Sequence, residues 1–153
     1  MSVDDRNAIY LRALGEIEQV VRDEPDAIAR QAVIAAILFR ELNLIWVGFY
    51  RLEDNVLVLG PFQGPPVCTR IALSAGVCGT AARKQTPVIV PDVRQFPGYI
   101  QGSGATQSEI TVPLVVEGGV RLILDADSGE IDYFSQIDAD FFDRILSALG
   151  EHV

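Results

Sequence analysis

The chain has 153 residues, 49% hydrophobic and 22% charged, which suits one domain over 1–153 with its own core and excludes disordered and fibrous proteins. Lysine plus arginine is 12 against 21 aspartate plus glutamate, a net charge of −9, and that surface repels phosphate backbones and anionic lipid heads, so neither nucleic acid nor membrane is expected as a partner. No apolar run of about 18 residues occurs and the N-terminal segment MSVDDRNAIYLRALGE is acidic, so a cytoplasmic protein without membrane span or secretory leader is expected.

Ile9, Leu11, Leu14, Ile17, Val20 and Val21 recur at helical spacing, predicting an amphipathic helix over about residues 5–22. Pro25 suits the first position of a second helix, whose apolar face runs through Ile28, Ala32, Ala35, Ala36, Phe39 and Leu42 and which Asn43 closes. LIWVGFYRL (44–52) and VLVLGPF (56–62), with Glu53-Asp54-Asn55 between them, predict a β-hairpin. TRIAL (69–73) and PVIV (87–90) read as short strands around a short helix in GVCGTAARKQ (76–85). Residues 91–108 have two Pro, three Gly and no periodicity, and so predict a long loop of the functional or mobile kind. EITVPLVVE (109–117) and VRLILDADS (120–128), joined at Gly118-Gly119, predict a second hairpin. A last helix starts after Ser135, with Asp138 three residues on and Ile137, Phe141, Ile145 and Leu149 on one face. The acidic faces of the first and last helices read as solvated surface. Adjacent hairpins with packed helices make an antiparallel α+β domain.

Few chemistries are available to this composition. The single histidine is His152, next to the C-terminus, so an interior Ser-His-Asp or Cys-His triad has no imidazole. Two cysteines, Cys68 and Cys78, are too few for a structural zinc site or a secreted disulfide framework, so no metal is expected and both are expected as thiols. Neither GxGxxG nor P-loop spacing occurs around Gly76 and Gly79, which read as turn and close-packing positions, and no cofactor is expected. A strand between Cys68 and Cys78 spans about 16 Å, too far for a bridge between them.

NLIWVGFY (43–50), LGPFQGPPVCTRI (59–71), GVCGTAA (76–82), VPDVRQFPG (90–98), SEITVPLV (108–115) and LDADS (124–128) together resemble the free methionine-(R)-sulfoxide reductases, a group of stand-alone GAF domains. The resemblance implies a six-stranded antiparallel sheet with flanking helices, a homodimer, and a pocket around the sulfoxide of free methionine. It places Trp46 and Tyr50 at the methyl sulfoxide end and Glu109, Asp125 and Asp127 around the amino group. An ammonium in a closed pocket requires carboxylates, and aromatic faces suit a polarised sulfur methyl.

The implied reaction uses a thiolate that attacks the sulfoxide sulfur and becomes a sulfenic acid, resolved by a second cysteine and reduced by a thioredoxin-like partner. Cys68 and Cys78 match two of the family's three cysteine positions. The third, the nucleophile, falls on Gly102. Ser103 beside it cannot replace a redox sulfur.

Pattern alone gives other roles to the same residues. Trp46 and Tyr50 share a strand face and could be core; Asp125 and Asp127 could be the wet face of a strand end; Cys68 could be a small buried residue without a role. Cys78, near a helix start, could gain thiolate character and substitute as nucleophile. Three functions are therefore expected in competition: reduction through another thiol, sensing of methionine sulfoxide or a related amino acid, and a dimerisation or partner role. Cyclic-nucleotide binding ranks last, because the acidic residues repel phosphate.

Overall fold

In the computed structural model, which describes residues 1–150, the first helix, α1 (Val3–Asp23), begins before the apolar spacing predicts because of its cap. The Ser2 hydroxyl accepts from the Asp5 amide and the Asp5 carboxylate accepts from the Ser2 amide. Helix α2 (Ala27–Glu41) is capped by Asp26, which accepts from the Ala29 amide at 2.8 Å. Pro25 therefore lies outside the helix, not at its first position: the aspartate satisfies orphan amides, which proline cannot do. Asn43 ends α2 as expected, in the left-handed conformation at φ 51°.

Six strands, β1 (Trp46–Glu53), β2 (Val56–Gln63), β3 (Arg70–Ala72), β4 (Val88–Val90), β5 (Ser108–Val116) and β6 (Gly119–Ser128), form one antiparallel sheet in the order β3-β2-β1-β6-β5-β4. Helix α3 (Gly76–Lys84) lies between β3 and β4, and α4 (Gln136–Leu149) ends the described chain with the expected Ser135–Asp138 capping box. The loop before β5 contains only a short 3-10 turn at Val93–Gln95. The predicted Gly118-Gly119 turn shifts by one residue: Val116 pairs with Gly119, so the turn residues are Glu117 (φ 52°) and Gly118 (φ 81°). A two-residue hairpin of this hand needs positive φ at both central positions, and Glu117 adopts it without being glycine.

The alternation of β1 divides the protein into two layers. Val47 and Phe49 point with Ile110, Val112, Leu124 and Ala126 into the main core beneath α1, α2 and α4. Trp46 and Tyr50 point the other way, with Ile123, towards a smaller cluster under α3 that includes Cys78 and Ala82. The helix layer corrects one expectation. Asp138 of α4 is not solvated surface but fully buried, and accepts from Arg6 Nε of α1 at 2.9 Å. His152 lies outside the described residues. Among the described residues no helix is long and apolar enough to cross a membrane.

Candidate functional site

Antiparallel register assembles the site from three neighbouring strands. Trp46 pairs with Asp127 and Asp127 with Glu109; one step on, Gly48 pairs with Asp125 and Asp125 with Thr111. A side-chain period of two sends all of these to the face away from the main core. They meet in a cavity of about 40 Å³ that Trp46, Tyr50, Glu109, Asp125, Asp127, Cys68, Cys78 and Gly102 all line. One water needs roughly 10–15 Å³ on the same measure, so the cavity holds more than a single solvent molecule. Tyr99 and Ile100 of the long loop close over it.

Glycines make the aromatic wall possible. A Cβ at Gly48 would stand 2.5 Å from Phe62 Cβ and 2.6 Å from Trp46 Cη2, so the indole occupies the space a side chain would fill. Phe62 stacks on Trp46 at 5.7 Å between centroids, and Tyr50 lies tilted at 6.1 Å. The Tyr50 hydroxyl donates to the Cys68 carbonyl at 3.1 Å, whereas Trp46 Nε1 is buried without a partner.

Beside the aromatic residues the same sheet face is anionic and crowded. Glu109, Asp125 and Asp127 are 5–6% exposed, and no lysine or arginine lines the cavity. Thr111 Oγ1 donates to Asp125 Oδ1 at 2.6 Å, while Asp127 Oδ1 is buried with no partner. Burial raises all three carboxyl pKa values. The charge of Asp125 adds to the rise at Glu109 and Asp127; hydrogen bonding to Glu109 and then to the Thr111 hydroxyl partly opposes it at Asp125, and the Thr106 hydroxyl partly opposes it at Asp127. Two orphaned polar atoms in one cavity, an indole N–H and a carboxylate oxygen, are what a polar ligand would satisfy.

The two thiols differ. Cys78 stands in the first turn of α3, where the helix terminus would favour thiolate, but burial first, then Asp125 and Glu109, push its pKa well above the ordinary value. This environment works against its use as a substitute nucleophile. Cys68 is exposed, not a buried small residue, and both thiols are free as expected. Gly102 lies in the cavity wall, where a Cβ would be 3.2 Å from Val67 Cγ1 and 4.0 Å from Asp127 Oδ2. A side chain at 102 would thus start beside the anionic wall.

A GAF domain model matches residues 23–153. The Escherichia coli free methionine-R-sulfoxide reductase is 38% identical over 146 residues, 95% of this chain and 88% of that protein. GAF domain-containing protein A of Dictyostelium discoideum is 43% identical over 141 residues, 92% of this chain and 89% of that protein. The solved Neisseria meningitidis free methionine-R-sulfoxide reductase, in complex with its substrate, superposes with a TM-score of 0.93 at 41% identity, covering 99% of this chain and 92% of that one. The chain belongs to the free methionine-R-sulfoxide reductase family of GAF domains.

Within this GAF fold, sequence reasoning missed Thr111 and Tyr99. Thr111 alternates with Glu109 along β5 and so shares its face, a signal that was available; Tyr99 comes from aperiodic loop, where none was. Cys78 Sγ and one carboxylate oxygen each of Glu109 and Asp125 also lie within 4.8 Å of one another, all buried, a set of donors able to hold a metal ion.

Proposed function

We propose that the protein binds free methionine-(R)-sulfoxide or a closely similar amino acid in this cavity, and that its thiol-dependent reduction is impaired. The ammonium lies against Glu109, Asp125 and Asp127, and the methyl sulfoxide against Trp46 and Tyr50. The observation that carries the reading is the pair of orphaned atoms, Asp127 Oδ1 and Trp46 Nε1, on two cross-strand neighbours that line one small cavity. Binding relatives support it: the Neisseria protein was solved with its substrate. Reduction requires a sulfur that takes the sulfoxide oxygen as sulfenic acid while methionine leaves, then a second thiol that forms a disulfide and releases water. Gly102 supplies no sulfur at the family's attacking position, and the environment of Cys78 keeps its thiol protonated.

Turnover of methionine-(R)-sulfoxide with a thioredoxin-type reductant tests the catalytic half, and calorimetry the binding half. The unmodified protein is expected to bind without ordinary turnover, and Gly102→Cys to gain turnover. Asp127→Ala should bind about ten- to a hundred-fold more weakly, from a loss of roughly 1.5–3 kcal/mol. Ordinary turnover by the unmodified protein would refute impairment, and Cys68→Ser and Cys78→Ser would then identify the thiol. Equal affinity in both proteins, or no heat with any sulfoxide or amino acid, would refute the pocket.

A second reading has its own observation. Gly102 leaves the family's attacking position without sulfur, and burial raises the pKa of the Cys78 thiol, which favours a non-catalytic module that senses the same small molecule. Binding in the unmodified protein with no gain from Gly102→Cys would favour it.

A further inference from the structure

We propose that Cys78, Glu109 and Asp125 form a binding site for a divalent cation of the zinc class. The three donors come from α3, β5 and β6, and their ligand atoms lie within 4.8 Å of one another. A tetrahedral ion with bonds of about 2.0–2.3 Å spaces its ligand atoms by roughly 3.3–3.8 Å. The donors therefore need to draw inward by about 1 Å, within the reach of side-chain rotation.

The donor set narrows the ion. Magnesium and calcium take oxygen ligands alone, and copper(I) prefers soft sulfur throughout, whereas zinc accepts one thiolate with carboxylates, the Cys78 thiol giving up its proton to solvent as the ion binds. An independent observation belongs to the same space: Asp127, 5% exposed, lines the cavity that the three donors line and has a buried oxygen with no partner. Thr111 supplies the outer support that metal ligands ordinarily have. Its hydroxyl donates to Asp125 Oδ1 at 2.6 Å and lies 3.9 Å from Cys78 Sγ, contacting two of the ligands. Among the described residues no cationic side chain lines the cavity, so an ion would bring positive charge to three crowded carboxyl groups. The inference does not rest on the amino-acid reading, which gives Cys78 no part.

Cobalt(II), a spectroscopic stand-in for zinc, tests the site in the full chain with no amino acid present, so the result is independent of sulfoxide binding. One cobalt per chain is expected, with a thiolate-to-cobalt charge-transfer band in the near ultraviolet that one equivalent of zinc removes and magnesium does not. Cys68→Ser should keep the band and Cys78→Ser and Cys78→Ala should lose it. Glu109→Gln and Asp125→Asn, checked for native circular dichroism, should weaken zinc at least about tenfold by calorimetry. Absence of the band and of zinc heat in the unmodified protein would overturn the site. So would a band that survives in folded Cys78→Ser or vanishes in Cys68→Ser.

Discussion

Two clusters of buried charge sit on opposite faces of the same sheet, and they are built on opposite principles. In the helix layer Arg6 and Asp138 are 7% and 1% exposed. Asp138 Oδ1 accepts from Arg6 Nε at 2.9 Å and from Tyr10 Oη at 2.5 Å, and Oδ2 from the Ser135 amide at 2.7 Å. Arg6 also donates to the Tyr133 carbonyl at 2.8 Å and lies 4.2 Å over the Tyr133 ring. Burial lowers the guanidinium pKa, but the hydrogen bond and charge of Asp138 more than reverse that. Under α3, equally buried carboxyl groups crowd together without a cation, and an oxygen is left unpaired. The first cluster is satisfied by the chain itself and holds α1 to α4. The second has no counter-charge from the residues that line it, so protonation relieves it and, on the proposals above, so would a bound cation.

The satisfied cluster should therefore show the largest effect when broken. Asp138→Ala leaves the Arg6 guanidinium and the Tyr10 hydroxyl buried without their acceptor and removes the α4 cap. The expected loss is about 3–5 kcal/mol of unfolding free energy, read from the denaturant midpoint at constant slope. A loss under about 1 kcal/mol would mean that water replaces the carboxylate, and the contrast between the clusters would fail.

Next in size is the response of the unsatisfied cluster to pH. All three carboxyls are raised above their unfolded values, so between the unfolded and folded pKa values the native state binds more protons than the unfolded chain. Stability then falls as pH rises through the folded values, and is fully present below the unfolded ones. The carboxylates Asp5 and Asp92 are shifted the other way, downward by hydrogen bonds from Ser2 and from Arg94. They act only in more acidic solution than the window used here. In chelator and without ligand, the protein should be more stable at about pH 6 than at about pH 8, by up to about 3 kcal/mol for each extra proton the native state holds across that interval, since each proton of difference gives about 1.4 kcal/mol per pH unit. A flat or opposite trend in urea midpoints would show that the carboxyls are already relieved.

How far each cluster could be read in the sequence follows from how its parts are spaced. Trp46 and Tyr50 are separated by an even number of residues on one strand, as are Asp125 and Asp127, so the period of two already put each pair on one face, and the family segments joined the pairs to Glu109. The six strands and four helices were legible for the same reason, apart from local chemistry at Pro25 and Glu117. Arg6 and Asp138 are 132 residues apart, and each looks like an ordinary charged position on an amphipathic helix. Only the docking of α1 on α4 shows that they meet. The exposure of Cys68 likewise depends on where the irregular chain before β3 runs, which no periodicity describes.

The smallest effect is the sharpest test, because it has opposite signs for stability and for binding. Asp127 contributes to the cavity a carboxylate whose Oδ1 makes no bond within the protein. Asp127→Asn keeps its shape, removes one of three like charges, and forfeits no ion pair. At about pH 8, free of metal and ligand, it should raise the unfolding free energy, because burial and the charge of Asp125 oppose the ionised form of Asp127 and not the neutral amide. The same change should flatten the pH trend of the parent and weaken binding of methionine sulfoxide and of zinc. Parallel urea titrations and calorimetry on one preparation read both signs. Loss of stability together with affinity would make Asp127 a structural residue whose apparent vacancy is filled by water; unchanged affinity with raised stability would move the cation's hold to Glu109 and Asp125 alone.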